Sequence, residues 1–507
     1  MLPLMLGVSS YVAAAIFSMV FPRHRFKFSL LGFAGALAGI YTAADIYFHS
    51  GTSLLTLGKW GNLGIELIID ETTLLFASLI VLLNLFTLLY VQDREQATFH
   101  SLYNLLFTAS YSMAFSHDLF NIYVTIEFMS LVSILLIGYR RKNYQIYAGT
   151  KYLLVSALAM SLYLIGLAMV YRAGGHLAIS QLVSSLEGAS GYCAAWGLRL
   201  MFVGLAAKGG VFLFSMWLPD AHSYSGTVVS ALLSAMAIKS GLIGIIRLSE
   251  FANWNFLLLT FGTLTGIAGA VFALLSQKPK RILAYSTFSQ VGYVLLGVGI
   301  GSPIGFLAAS LHIFFHGLFK GLLFLSVGHA GIGGIDIYDN KISLPWASKF
   351  GLFVGSLSIL ALPPFNGYFS KTLLLEEAHR EWVWLAMLAI GVGTALYIIE
   401  LDRVLLTPSQ TGRAKKGDKA ITFFGLTVVV SGIVTWLLLG TRETTALFIP
   451  HHATISFALL AGGGLIFLSL ERELQNLQPP TLTFNLDNAL MSLFTGVLLI
   501  ELILFLI

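Results

Sequence analysis

Polar residues punctuate this chain between long apolar runs. Runs of about 20 residues, each able to cross a hydrocarbon core of about 30 Å, fall at 2–21, 27–47, 71–91, 100–116, 118–139, 148–171, 194–217 and 228–248. They continue at 254–275, 283–301, 303–328, 349–380, 382–402, 420–440, 452–470 and 485–507. No run shows strand-like alternation, so the pattern predicts an all-α polytopic membrane protein with about 14–16 transmembrane helices, not a β-barrel. The run 349–380 is too long for one straight helix. It contains ALPPFNG at 361–367, which predicts two half-helices joined by a break. Gly209–Gly210, inside 194–217, has two readings: a helix weak point or a site of close helix packing. The stretches 48–70, 172–193 and 329–348 read as connectors, with no separate soluble domain.

Charge tests the count of spans. Arg23, Arg25 and Lys27 follow span 1, and Arg140, Arg141 and Lys142 follow span 5. Lys278, Lys280 and Arg281 follow span 9, and Arg403, Arg413, Lys415, Lys416 and Lys419 follow span 13, against Asp402 and Asp418. All four loops follow odd-numbered spans and so share one side, the cytoplasm by the positive-inside rule. The expectation is a multi-pass protein of the cell inner (plasma) membrane with its N-terminus outside. The first apolar run has basic residues after it and none before it, the reverse of a signal peptide.

Composition narrows the functional classes. Hydrophobic residues make up 57% and charged residues 10%, against about 25% charged in a soluble domain. The net charge of +5 is the surplus that membrane topology requires in short loops, so no nucleic-acid partner is needed. A single cysteine, Cys193, excludes an internal disulfide framework and a cysteine-ligated cluster within this chain. There is no Walker A loop, no G-x-G-x-x-G and no HExxH. No cofactor or metal is therefore expected in this chain, nor a redox or hydrolytic site of its own.

The candidate chemistry lies in charges placed where lipid penalises them, at about 2.5–3.5 kcal/mol each near a helix centre. Glu127 is mid-span in LFNIYVTIEFMSLVSILLIG, and Lys208 and Lys239 are deep in spans 7 and 8. Span 11 carries His312, His316 and Lys320 at i, i+4 and i+8, which stacks them along one face. Lys371 follows the break in span 12. Alone, each has a plain reading. A lysine can snorkel, a glutamate can hold a structural ion pair, and two histidines can pack in a core or bind a metal. A lysine on the histidine stripe argues against a metal, and together the plain readings must all hold at once. Glu400 and Glu501 read as structural, Asp70 and Glu71 as interface markers, and Lys151 as the cytoplasmic start of span 6.

A chain of proton sites is the functional reading. Desolvation favours a neutral amine and a nearby carboxylate favours the ammonium. A glutamate that approaches or leaves a buried lysine therefore switches whether the lysine keeps its proton. Histidine suits the relay between such lysines.

These residues resemble the antiporter-like subunit family shared by complex I, Mrp sodium/proton antiporters and membrane-bound hydrogenase-type complexes. The likeness runs through roughly 100–400. It is carried by IEFMSL, AAKGGVFLFSMWLPDAH, VSALLSAMAIKSGLIGIIRL, QKPKRILAYSTFSQVGY, HIFFHGLFKGLLFLSVG and LPPFNGYFSK. The resemblance implies two inverted five-helix repeats, spans 4–8 and 9–13, each with a broken helix. The expected division is 1–99, N-terminal helices; 100–250, a half-channel with Glu127 and Lys208; 251–402, a half-channel with Lys371; and 403–507, C-terminal helices. By motif match Glu127 and Lys208 take the family's glutamate–lysine pair, and Lys239 the lysine of the following helix. His312, His316 and Lys320 fall on its central relay, and Lys371 on its terminal lysine. A long lateral helix, found in the largest branch, is not expected here.

The resemblance implies a proton-translocating subunit of a multi-subunit, redox-driven pump. Its partners would be other membrane subunits, among them further antiporter-like or small Mrp-type ones, with a hydrogenase or iron–sulfur peripheral arm and sodium left open. Rivals are a subunit of an Mrp-type antiporter without a redox partner, an energy-coupling partner of a non-redox enzyme such as an inorganic-carbon uptake system, and a structural scaffold. The last leaves the deep charges unexplained.

Overall fold

A computed structural model describes residues 1–58, 64–92, 95–186, 192–339, 342–409, 417–439, 445–476 and 486–505. The chain opens with α1 (Leu2–Val20) and α2 (Arg25–Ser50), then a hairpin of β1 (Ser53–Leu57) and β2 (Ile65–Ile69). Next come α3 (Glu71–Val91), α4 (Ala97–Phe115), α5 (Leu119–Ile137), α6 (Asn143–Gly174), the short α7 (Ile179–Leu186) and α8 (Tyr192–Gly209). After a break follow α9 (Leu218–Tyr224), α10 (Thr227–Leu232) and, across a π-helical turn at Leu233–Ala237, α11 (Ile238–Leu248). Then come α12 (Asn255–Leu274), α13 (Pro279–Ile300), α14 (Pro303–Ala330), α15 (Trp346–Ile359) and α16 (Asn366–Glu377). The last four are α17 (Glu381–Asp402), α18 (Asp418–Leu439), α19 (Thr445–Asn476) and α20 (Leu486–Phe505).

Among the described residues thirteen helices are long and apolar enough to cross a membrane. The other three of the sixteen expected spans are α4, the interrupted span that begins with α8, and the α15–α16 pair. The protein is thus an all-α, multi-pass membrane protein. The strand pair was missed because 48–70 reads as a polar connector. Its register, Ser53 opposite Ile69 through Leu57 opposite Ile65, buries β2 but leaves β1 only half covered. Arg413, Lys415 and Lys416 lie outside the described residues.

Helix ends follow local chemistry. Asp70 caps α3 by accepting from the Thr73 amide at 2.8 Å, and Asp118 caps α5 by accepting from Phe120 and Asn121. The Ser302 hydroxyl does the same for α14 at Gly305, 2.9 Å away.

The helices form two compact units. One gathers α1–α8, α11 and α20; the other gathers α9, α10 and α12–α19. Within the first, α1 packs on α2 and α4, while α8 packs on α6, α11 and α20. Arg199 of α8 meets Glu501 of α20 at 3.2 Å. Within the second, α13 packs on α12 and α14, α16 on α14 and α18, and α19 on α17.

A polar knot closes one end of the first unit. Arg247 of α11 grips Asp70 with two nitrogens, at 2.5 and 2.9 Å, and also donates to Thr73 at 3.0 Å. Asp70 is therefore an internal anchor. Burial by itself would raise its carboxyl, but the Arg247 charge and hydrogen bonds outweigh that and hold it well below the usual carboxylate range. Beside it, the His117 ring bridges Glu66 at 2.6 Å and Glu250 at 3.1 Å. Glu66 also accepts from the Ser180 amide and hydroxyl, which ties β2 to α7. Burial opposes a charge on His117, yet its bonds to Glu250 and Glu66 win and raise it above its ordinary 6.5.

Three loop assignments need correction. Lys280, counted above as a loop charge, is buried and donates to the Ser225 carbonyl at 2.7 Å. Lys151, expected at a helix start, lies two turns into α6 and is buried. Asp402, set against the loop bases, sits at the end of α17 and accepts from Ser356 at 2.7 Å. Each long or short side chain reaches a polar partner or core that linear spacing does not reveal.

Two outcomes are expected. Asp70→Asn should lower stability by about 3 kcal/mol, because it removes the nearer of the two carboxylates, Asp70 and Glu250, that face a buried guanidinium; thermal unfolding in detergent measures it. The His117 contribution runs the opposite way in pH from a lowered carboxylate. It is fully present below about 6.5 and is lost as pH rises through the raised folded value. His117→Gln should flatten the fall in unfolding temperature between neutral and alkaline pH.

Candidate functional site

The first cluster begins with a helix that stops inside the unit. After Gly209, Gly210 takes φ +77° and Leu213 φ +73°, backbone that ends an α-helix and that a branched residue adopts only under strain. The carbonyls of the last turn find partners across the break. The Ser215 hydroxyl lies 3.0 Å from both Ala206 and Ala207 carbonyls, and the Trp217 indole donates to Ala207 at 3.0 Å. Gly209 has the other role as well, because its backbone presses on Gly241 of α11. Both readings of the Gly209–Gly210 pair are therefore correct, one for each glycine.

Lys208, in the last turn of α8, is 2% exposed. Its ammonium donates to Ser130 of α5 at 2.5 Å and to Ser156 of α6. Glu127 stands 3.6 Å away. The Tyr152 ring lies 5.2 Å from the ammonium and stacks on Trp217 at 3.8 Å, so the tyrosine that walls the lysine rests on the tryptophan that caps the break. Glu127 is one-third exposed, on a helix face with Val124, Leu131 and Leu135 open beside it. The expected pair is thus brought together, and the two serines that share the proton donor were missed. Sequence signals for them exist only in hindsight, since serines at helical spacing are common. Lys239 is fully buried on α11 of the same unit.

The remaining candidates belong to the second unit. His312 and His316 of α14 stack with centroids 6.0 Å apart and planes 9° apart, as the i, i+4 spacing requires. His312 shares a 2.9 Å bond with Ser370 of α16. Lys320 donates to the Leu283 carbonyl at 2.9 Å and to Ser286, both on α13. All three are fully buried.

Lys371 repeats the logic of Lys208. Helix α15 ends at Ile359, Ala361 takes φ +58°, and α16 restarts at Asn366. Lys371 donates to the freed Ile359 carbonyl at 2.7 Å, and its ammonium lies 4.7 Å from the Tyr293 ring. A cavity adjoins it, lined by Lys371, Tyr293, Thr394, Ser456 and His452 among others. Thr394 and Tyr293 come from α17 and α13, and Ser456 and His452 from α19.

Two motifs that mark the sequence meet here. Asp220, of WLPDAH, pairs with Arg281, of KPKRILAY, at 3.3 Å, and His222 stacks on Phe324 at 4.8 Å. Within α17, Glu400 accepts from the Tyr338 hydroxyl and from Arg403. The chemical capacity of the whole set is proton binding and exchange. The ammonium groups of Lys208, Lys320 and Lys371 are buried, each beside hydroxyls, carbonyls or a carboxylate that can share its proton.

A Cβ at Gly241 would collide with the Gly209 backbone. Gly241→Ala should therefore cost about 1–3 kcal/mol by overpacking, read as a lower unfolding temperature in detergent, and should loosen the turn that carries Lys208.

The model of the family described as "NADH:quinone oxidoreductase/Mrp antiporter, TM" matches residues 116–397, which include every candidate above. Hydrogenase-4 component B of Escherichia coli is 33% identical over 273 residues, 49% of this chain but only 40% of that protein's length. The D component of the Na(+)/H(+) antiporter of Alkalihalophilus pseudofirmus is 28% identical over 407 residues, 76% of this chain and 82% of that one. A chain of the membrane-bound sulfane sulfur reductase, an archaeal respiratory membrane complex, shares the fold with a TM-score of 0.78 at 23% identity, over 90% of this chain and 97% of that chain. With more than half its length matched and the motif residues assembled inside that stretch, the chain belongs to the NADH:quinone oxidoreductase/Mrp antiporter transmembrane family.

Proposed function

We propose that this chain is the proton-translocating, antiporter-like subunit of a multi-subunit redox-driven ion pump, of membrane-bound hydrogenase or complex I-like type. The observation that carries the reading is the Lys208 site: a buried ammonium at a helix break, 3.6 Å from the Glu127 carboxylate. Glu127, Lys208 and Lys239 serve one half-channel, within 100–250. His312, His316, Lys320 and Lys371 serve the other, within 251–402, and the two form inverted repeats. Paired interrupted helices with a functional group at each break support that division. Movement of Glu127 away from Lys208 would release the lysine's proton, and its return would restore it. Redox chemistry belongs to partner subunits, and the exposed face around Glu127 is where a further membrane subunit packs. The loop charges support the inner (plasma) membrane with the N-terminus outside.

A second reading, a subunit of an Mrp-type sodium/proton antiporter without a redox partner, has its own support. The similarity to the Alkalihalophilus antiporter component spans 82% of that protein, twice the share covered in hydrogenase-4 component B. The two readings separate on purification of the chain with its native neighbours: a co-purifying [NiFe] or iron–sulfur subunit supports the first, small membrane subunits alone with sodium-dependent flux the second.

Glu127→Ala and Lys208→Ala, in that complex reconstituted into liposomes, should each cut proton flux by about tenfold or more while the complex still assembles. Undiminished flux in both variants sinks the switch.

A further inference from the structure

We infer that His452 of α19 and Glu376 of α16 take the proton from the Lys371 cavity to the edge of the second unit. This rests on the proposed transport function and adds the groups through which Lys371 empties. Both residues are new to the site. His452 lies outside the stretch matched by the family model.

The geometry is a short stair. Lys371 and His452 line the same cavity, with Thr394 and Ser456 beside them. Ser456 is four residues after His452, so α19 presents both to one side, as helical spacing requires. The His452 Nε2 then meets Glu376 Oε1 at 3.3 Å. Burial falls along the way: the side chain of His452 is 8% exposed and that of Glu376 26%. Glu376 is one residue from the end of α16, so its carboxylate stands at the helix terminus and not mid-span. Ionisable groups on the elements packed against His452 include Glu376, Lys371 and Tyr368 on α16, the last against Glu376 and the Ala453 backbone, and Tyr293 on α13; the cavity residues of α17 carry no charge.

The transfers balance. Lys371 gives up one N–H proton and becomes a neutral amine, and an imidazole nitrogen of His452 gains it. The imidazolium passes a proton from Nε2 to the Glu376 carboxylate and returns to neutral imidazole. The carboxylic acid then loses its proton to water, and no electron moves. A histidine is suited to the middle step because its proton affinity lies between those of the other two groups.

The test uses the complex with its native neighbours in liposomes, with proton flux driven by a potassium diffusion potential and read by a pH-sensitive dye. Four samples are compared: wild type, Lys371→Ala, His452→Ala and His452→Gln. His452→Gln keeps a hydrogen bond to Glu376 but cannot relay a proton, so it separates transfer from packing. The expected result is loss of about tenfold or more in both His452 variants, with normal complex yield. Added imidazole should restore His452→Ala and leave Lys371→Ala unrestored. Wild-type flux in both His452 variants, with Lys371→Ala impaired, overturns this inference and leaves the transport reading standing. Loss in His452→Ala that imidazole does not relieve, with His452→Gln active, also overturns it, by assigning His452 to packing. Full flux in Lys371→Ala as well would bring down the transport reading itself.

Discussion

An ammonium taken out of water costs several kcal/mol unless acceptors surround it, and a carbonyl freed from a helix inside a membrane has no water to turn to. This protein sets the two deficits against each other. At the second break the Ile359 carbonyl, orphaned where α15 ends, accepts from Lys371. At the first, the carbonyls of Ala206 and Ala207 accept from Ser215 and Trp217, and Trp217 in turn stacks on the tyrosine that walls Lys208. The breaks persist because polar side chains satisfy them, and the lysines stay buried because acceptors lie within reach.

The two lysines are nonetheless differently provided for. Lys208 has two serine hydroxyls and a carboxylate, the last 3.6 Å away and one-third exposed. Lys371 has a backbone carbonyl and the face of Tyr293. A carboxylate on a partly open helix face can shift with its surroundings, whereas a carbonyl fixed by its helix cannot. On the proposed function, Lys208 is therefore the site whose occupancy a neighbour could alter, and Lys371 the site set by the chain's own backbone.

Away from the lysines, the same constraint builds a rigid frame. Arg247 and Asp70 form a bidentate pair that joins α11 to the cap of α3, and His117 clasps Glu66 and Glu250 nearby. In the other unit, Asp220 and Arg281 join the two most distinctive motifs of the chain. Such pairs are weak evidence for net stability, but removing one partner is costly, so they hold register between helices.

The linear order of apolar and polar residues settled the membrane class, the helical nature of the apolar runs and the break at 361–367, and it put Glu127, Lys208, Lys239, His312, His316, Lys320 and Lys371 on helices, because hydrophobic length and helical period are local properties of a chain. It also placed the two histidines on one face, since i, i+4 neighbours meet in any helix. It could not place Ser130 and Ser156 around Lys208, turn Lys280 and Asp402 inward, pair Arg247 with Asp70, or bring the C-terminal α20 back to α8. Those contacts join residues tens to hundreds of positions apart. Which serine becomes an acceptor, and which aspartate an anchor, depends on what other helices carry to the same point, and only the packed structure decides that.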